Sequence, residues 1–316
     1  MSGLNKPAAP VREFQWQSTT RPRWYLWDGG FLLVGEGGGE VPAHAHHAIQ
    51  VFIAVDGKAV IRTTGTSWQE GRGAIVKPDV EHGFNAQGSR GALMFVDAES
   101  SEGLWLRSQL TQDITIIPDA RVDACAGELR TFLENPLAAL NTGDLVRHCV
   151  GALCAGSPPL RRIDPRVIRV VQAINQSDDL RLSLEDAAEL VHLSPDRFAH
   201  VFKDELGLPF RRYILWRKVT RAMLAIGRER TIADAAHASA FADAAHLTRT
   251  FNEMFGIPPS VLMRGEFFEV ASPFTQLARA HTVRVATAGE IDAARSAGTS
   301  TASSPTIHRR KTPPTR

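Results

Sequence analysis

Three histidines and a glutamine fall close together in a strand-like stretch: His44, His46 and Gln50, with His82 following after Pro78. A neutral imidazole suits transition metals, and it is also a hydrogen-bonding group for a small organic molecule. The residue types leave open a metal site, an effector site and a purely structural cluster. A second constellation lies in the other half of the chain. Asp196, Arg197, Ala199, His200 and Lys203, and then His246 and Arg249, occupy the outer sides of two helix-like segments. Arginine is the natural bidentate reader of guanine, histidine and aspartate give fewer options, and alanine can touch only a thymine methyl. Each charged member could equally be part of a solvated helix face.

The second constellation is carried by a repeat. Ser183-Leu184-Glu185-Asp186 opens a helix, His192-Leu193 makes a tight turn, and Ser194-Pro195 caps a second helix whose inner side holds Phe198, Val201 and Phe202. A helix, a short turn and a capped helix with a polar outer stripe let one helix enter a DNA major groove, although a plain helical hairpin would look similar. The pattern returns about 48 residues later: Thr231 to Ala236 corresponds to Ser183 to Ala188, and Asp243 starts a helix burying Leu247, Phe251 and Phe255. Gly207 and Gly256, each followed by proline, end the two units. Between them, Pro209 to about Gly227 reads as one helix of roughly 28 Å, close enough to the 34 Å turn of B-DNA to set two reading heads in successive grooves. Arg211, Arg212, Arg217, Lys218 and Arg221 on this connector could contact phosphates or simply solvate its exposed side.

The first constellation sits among short strands between Arg23 and about Val96. Ile49 to Val55 is rich in β-branched and aromatic residues and ends at Asp56-Gly57, a hairpin signal, before Ala59 to Thr63. Regular spacing of such runs predicts a small antiparallel barrel or jelly roll. The period then changes to about 3.6: Asp119–Leu133 and Asp144–Cys154 read as two amphipathic helices that could pack on the barrel or on another subunit. Gly156-Ser157-Pro158-Pro159 marks a linker, and Asp164-Pro165 starts the helical half.

Composition fits an ordinary globular chain: 316 residues, 43% hydrophobic and 22% charged, with net charge +2 and mean hydropathy −0.14. The length predicts two domains. Charge is unevenly spread: residues 1–156 hold 13 Lys+Arg against 17 Asp+Glu, residues 157–264 hold 16 against 13, and the remainder 7 against 4. An acidic module joined to a mildly basic one suits a regulator facing an anionic partner, but the charge is too small to establish one. Cys125, Cys149 and Cys154 lack zinc-site spacing and read as reduced structural thiols. The absence of a secretory h-region or a membrane-length apolar run predicts a cytoplasmic protein with no membrane partner.

Residues 165 to 264 resemble the AraC/XylS family of bacterial transcription regulators, through Leu193-Ser194-Pro195, Phe198, Phe202-Lys203, Gly207, Tyr213, Arg217, Ala222, Ala240 to Asp243, Arg249-Thr250-Phe251, Phe255-Gly256 and Pro259. The family favours glycine where Ala240 stands. His44, His46, Gln50 and Gly57 after Gly38 resemble the first signature of cupin barrels, with glutamine in the usual glutamate place; Gly73, Pro78, His82 and Asn85 vaguely resemble the second.

Together the resemblances imply an α+β, two-domain chain. It has an N-terminal extension (1–22), a cupin-like sensor barrel (23–118), a helical pair for dimerisation (119–156), a linker (157–164), an all-α DNA-binding domain of seven helices (165–266, with helix-turn-helix motifs at 184–205 and 232–255) and a disordered tail (271–316). They also imply an effector-responsive activator, not an enzyme. By the resemblance it would bind promoter DNA through Asp196, Arg197, Ala199, His200 and Lys203 on the first recognition helix and Ala244, Ala245, His246 and Arg249 on the second, and an effector near His44, His46, Gln50 and His82. RNA polymerase and a second copy of the chain would be its partners. No cofactor is expected; a transition metal on His44, His46 and His82 is the alternative occupant. The rival reading is a cupin-type metal-dependent enzyme, a dioxygenase or isomerase with a helical appendage.

Overall fold

Alternation with a period of two builds the N-terminal half. In the computed structural model, which describes residues 21–27, 29–134, 142–154, 163–177, 180–228 and 230–269, nine strands come first: β1 (Arg23–Trp27), β2 (Gly30–Glu36), β3 (Glu40–His44), β4 (Ile49–Asp56), β5 (Ala59–Thr63), β6 (Gln69–Gly71), β7 (Gly73–Val76), β8 (His82–Asn85) and β9 (Arg90–Val96). Helix α1 (Ser101–Gln109) and strand β10 (Ile114–Ile116) follow. With β11 (Glu266–Glu269) from the far end of the chain, they form a seven-stranded sheet ordered β10-β7-β4-β9-β2-β1-β11 and a four-stranded sheet ordered β3-β8-β5-β6. Strand β4 is buried on both faces. Phe52 and Ala54 pack between the sheets, while Ile49, Val51, Ile53 and Val55 join the core beneath the next helix.

The Asp56-Gly57 signal does not make a hairpin. Strand β4 pairs with β7 and β9, and β5 pairs with β6 and β8, so the turn carries the chain from one sheet to the other. Gly57 has φ +75°, and a Cβ there would stand 2.6 Å from the Gly88 carbonyl oxygen. The glycine serves this close approach as well as the turn.

Helices α2 (Asp119–Glu134) and α3 (Thr142–Leu153) pack on the outside of the large sheet. Their apolar sides, including Val122, Cys125, Leu129, Leu145, Val146 and Cys149, are buried within this chain, and the three cysteines are free thiols. Of the two packing partners open to the pair, the large sheet of this chain takes their apolar stripes. The N-terminal extension up to residue 20, residues 157–162 of the linker and the tail from 271 lie outside the described residues.

The helical half runs α4 (Pro165–Gln176), α5 (Leu184–Leu190), α6 (Pro195–Leu206), α7 (Phe210–Gly227), α8 (Ile232–Ala238), α9 (Ala244–Phe255) and α10 (Ser260–Met263). Asp164 caps α4 with Pro165 in its first turn. The connector α7 is divided between two cores. Phe210 and Tyr213 join α4, α5 and α6, whereas Trp216, Val219, Ala222, Met223 and Ile226 join α8, α9 and the large sheet. After α10 the chain returns as β11 and pairs in parallel with β1, a strand that the sequence patterns do not announce.

The two tight turns share one conformation. His192 and Ala240 each have φ +56°, and the following residues, Leu193 and Phe241, donate to the carbonyls of Ala188 and Ala236 at 3.0 and 2.9 Å. A left-handed conformation suits glycine and is strained for alanine. Ala240→Gly is therefore expected to raise stability by about 1 kcal/mol. Chemical denaturation checks this; an equal or lower midpoint would show that the turn carries no strain.

Candidate functional site

Each recognition-type helix is positioned by a cap at both ends. Ser183 and Asp186 form a reciprocal capping box at α5, and Thr231 and Asp234 form its counterpart at α8. Ser194 caps α6 by accepting from the Arg197 amide, and Asp243 caps α9 by accepting from the His246 amide. Gly207 (φ +88°) and Gly256 (φ +67°) close the two helices in left-handed conformations.

Of the candidate DNA contacts, Asp196, Arg197, His200 and Lys203 on α6 are exposed, as are Ala245 and Arg249 on α9; Ala199, Ala244 and His246 are half-buried. Two histidines have local partners. Nδ1 of His200 lies 2.8 Å from the Asp196 carbonyl oxygen, and the His246 ring meets Phe241 edge-on at 5.2 Å. Most of the connector cations are engaged inside the chain. Arg212 pairs with Asp79 at 3.1 Å, Arg217 with Asp97 at 3.5 Å, Lys218 donates to the Ala240 carbonyl and Arg221 to the Ser177 carbonyl. Arg211 is exposed.

The structure brings His44, His46, Gln50 and His82 together, all buried. One candidate ligand atom from each histidine lies within 4.8 Å of the others, and among the described residues no other group of three His, Cys, Asp or Glu is so arranged. Each imidazole places Nδ1 against a backbone carbonyl: His44 on Pro42 (2.7 Å), His46 on Ala48 (2.9 Å) and His82 on Val80 (2.9 Å). Nδ1–H donates in each pair, so the neutral ring keeps its lone pair on Nε2. Burial lowers all three pKa values, His46 to about 3, with His82 adding to the effect on His44 and His46.

Gln50 Oε1 lies 3.1 Å from Nε2 of both His46 and His82, and Gln50 Nε2 has no partner. Lone-pair atoms facing one another at this spacing suit a cation, whose ligands at about 2.1 Å bonds stand roughly 3.0–3.4 Å apart. The donor set therefore fits a borderline transition ion after the three nitrogens draw in by about an ångström. It is an uncharged set, with glutamine in place of a carboxylate.

The cluster opens on a small recess of about 50 Å³ walled from both halves of the chain. Phe31, Leu33 and Phe95 line it from the large sheet, and Met223, Phe251, Phe255 and Ile257 line it from the helical half. Beside it runs a polar junction that the motifs passed over. Trp216 Nε1 donates to Asp97 Oδ1 at 2.9 Å, and His47 lies 3.1 Å from Glu99 and 3.6 Å from Asp79. The only available signals were the His46-His47 doublet and the two acids just after β9.

Burial opposes charge on His47, yet the Asp79 carboxylate 3.6 Å away and the hydrogen bond to Glu99 push its pKa up to about 9. Burial and the neighbouring Glu99 push Asp97 up to about 7. Glu99 is lowered despite its burial, because His47 donates to it.

A family model described as a helix-turn-helix domain matches residues 187–265. A transcriptional activator of Rhizobium meliloti (strain 1021), RhrA, is 30% identical over 118 residues, which are 36% of each chain. The match thus spans about a third of that curated relative. Among solved structures, ToxT from Vibrio cholerae O395 is similar over 74% of this chain and 96% of its own, at 11% identity and a TM-score of 0.48. The C-terminal domain of AraT, a response regulator from Geobacillus stearothermophilus, is similar over 33% of this chain and 88% of its own, at 24% identity and a TM-score of 0.31. No helix among the described residues is long and apolar enough to cross a membrane.

The junction has a testable pH signature. The folded chain holds the Asp97 proton up to about pH 7, against an ordinary value of 3.8. The folded state therefore binds the proton more tightly, and this contribution is full below about pH 4 and is lost as pH rises through 7. Asp97→Asn keeps an acceptor for Trp216 and removes the titration. Thermal midpoints at pH 5 and pH 7.5 should differ less in the variant than in the native chain; an undiminished difference would assign the slope to other groups.

Proposed function

With residues 187–265 a helix-turn-helix domain of the AraC/XylS type, we propose that the chain is a sequence-specific DNA-binding transcription regulator that acts as an effector-responsive activator in the cytoplasm. One observation carries the reading: two correspondingly capped helix pairs, joined by a single helix, each present a polar outer side to solvent. Helix α7 has 18 residues, so it is about 27 Å long.

On α6, Asp196, Arg197, Ala199 and His200 face the groove and Lys203 lies nearer phosphate; on α9, Ala244, Ala245, His246 and Arg249 do the reading. The first head supplies more polar readers. The second relies on Arg249, because its other groove-side residues are small or lean on Phe241. With four of the connector cations engaged internally, phosphate contacts fall to Arg211, Lys203 and helix N-termini.

The N-terminal sandwich, a cupin-like barrel in this reading, is the sensor. His44, His46, Gln50 and His82 contact the effector, and a transition metal is the alternative occupant for which the tautomers leave Nε2 available. RNA polymerase is the downstream partner. In a homodimer, a second chain meeting α2 and α3 would face their polar side, where Arg121, Asp123, Arg130 and Arg147 are exposed.

Footprinting the purified chain on DNA selected from a random library tests the reading. A protected sequence in two blocks about one helical turn apart is expected, and no protected sequence would defeat it. Arg249→Ala should cost about 1–3 kcal/mol at the selected site and relax choice at one base pair. Unchanged affinity and selectivity would remove Arg249 from the interface.

A further inference from the structure

The polar junction borders a second cavity, of about 360 Å³, which shares no residue with the recess beside the histidine cluster. Its walls come from the loop after β7, from α1 and from the Leu206–Gly207 end of α6. Two cations, Lys77 and Arg107, line it, both from the N-terminal half. Lys77 Nζ donates to the Thr111 carbonyl at 3.1 Å and stands 3.8 Å from Asp113, and Arg107 donates to the Leu206 carbonyl at 3.2 Å. An ammonium carries three donors and a guanidinium five, more than a single carbonyl takes up.

Asp79 is the acid among the lining residues, and it is already paired with Arg212 at 3.1 Å. His47 supplies the second observation. Its Nε2 is taken by Glu99 at 3.1 Å, but its buried Nδ1 has no hydrogen-bond partner, since Asp79 Oδ2 lies 3.6 Å away, beyond hydrogen-bonding range. A buried donor left open is costly until something accepts from it. An oxyanion would answer Lys77, Arg107 and the open ring nitrogen together. Its oxygens would repel the Asp79 carboxylate, however, unless one of them carries a hydrogen. That hydrogen makes the carboxylate an acceptor and not an opponent.

We propose that the cavity between Lys77, Asp79, His47 and Arg107 binds a small oxyanion that also carries a hydrogen-bond donor, of which hydrogen phosphate is the simplest. Lys77 and Arg107 take the anionic oxygens, His47 Nδ1 donates to the oxygen that bears the hydrogen, and the hydrogen goes to Asp79. The site goes beyond the regulator reading and does not rest on it, because no residue of the two recognition faces lines the cavity.

Inorganic phosphate is the probe, titrated calorimetrically into the full-length chain in mildly alkaline buffer at fixed ionic strength, with sulfate as the comparison. There the two ions have the same charge and nearly the same shape, and only phosphate keeps a hydrogen. Phosphate should bind, several-fold more tightly than sulfate. Lys77→Met and Arg107→Met keep an apolar stem, and each should weaken phosphate about tenfold, the loss of roughly one charge-assisted hydrogen bond. Asp79→Asn tests the selectivity. Asparagine tolerates the φ of +60° that Asp79 adopts, and its amide can donate to either ion, so the two affinities should become equal. If one cation variant does not melt cooperatively, the other carries the test. No phosphate binding, equal affinity for the two ions in the native chain, undiminished phosphate binding in a folded cation variant, or a selectivity that survives Asp79→Asn overturns the proposal.

Discussion

The division of helix α7 between two cores is the constraint from which the arrangement of the molecule follows. Its first turns carry Phe210 and Tyr213 into the packing of α4 to α6, and from Trp216 onward its buried side belongs to α8, α9 and the seven-stranded sheet. A helix of this length is stiff, so its two halves cannot reorient independently. The indole of Trp216 anchors the second half by donating to Asp97, a carboxylate only 4% exposed. Such a group is tolerated only with partners, and Trp216 and Arg217 supply them from the helical half.

The two heads consequently stand in different mechanical situations despite nearly identical local chemistry. The second shares its core with the sandwich, and β11 fastens the segment beyond it alongside β1. The first has its own core, touched from the N-terminal half by Leu104 and by Arg107, which donates to the Leu206 carbonyl at the end of α6. Gly207 and Gly256 show the same contrast. Both supply a left-handed helix terminus, and both are approached by the N-terminal half, but Gly207 meets the end of a flexible arginine whereas Gly256 meets backbone and the His44 ring. A side chain at Gly207 displaces a guanidinium; one at Gly256 displaces the head.

Local chemistry was legible in the sequence where a feature depends on neighbours in the chain. The caps at Ser183, Ser194, Thr231 and Asp243, the glycine termini and the convergence of inner-face aromatics on α6 and α9 follow from residue types at short spacing. The Asp56-Gly57 turn shows where that ends. It has the residues of a hairpin, but which strand β4 pairs with is decided by the packing of two sheets, and the same dipeptide serves a crossing between them. For the same reason the apolar stripes of α2 and α3 were readable and their partner was not. β11 is too short to carry a periodic signal and exists because β1 leaves an edge for it. The connector arginines read as a solvated or phosphate-binding set, yet Arg212 and Arg217 face acids more than a hundred residues away in the chain.

The histidine cluster was visible as a set of residues, but its protonation state was not, and the protonation state decides what it can hold. Spacing brings His44, His46 and His82 to one place; only the carbonyls of Pro42, Ala48 and Val80 determine that Nδ1 carries the hydrogen on every ring. Had any ring faced its carbonyl with Nε2 instead, its lone pair would point elsewhere and the set would be incomplete. His47, the next residue, reaches the opposite outcome under equal burial, because Asp79 and Glu99 compensate its charge. Two adjacent imidazoles are thus held in opposite states, one neutral in the histidine cluster and one cationic in the polar junction. The cluster therefore carries no proton on its Nε2 atoms, while the junction beside it depends on a proton being retained.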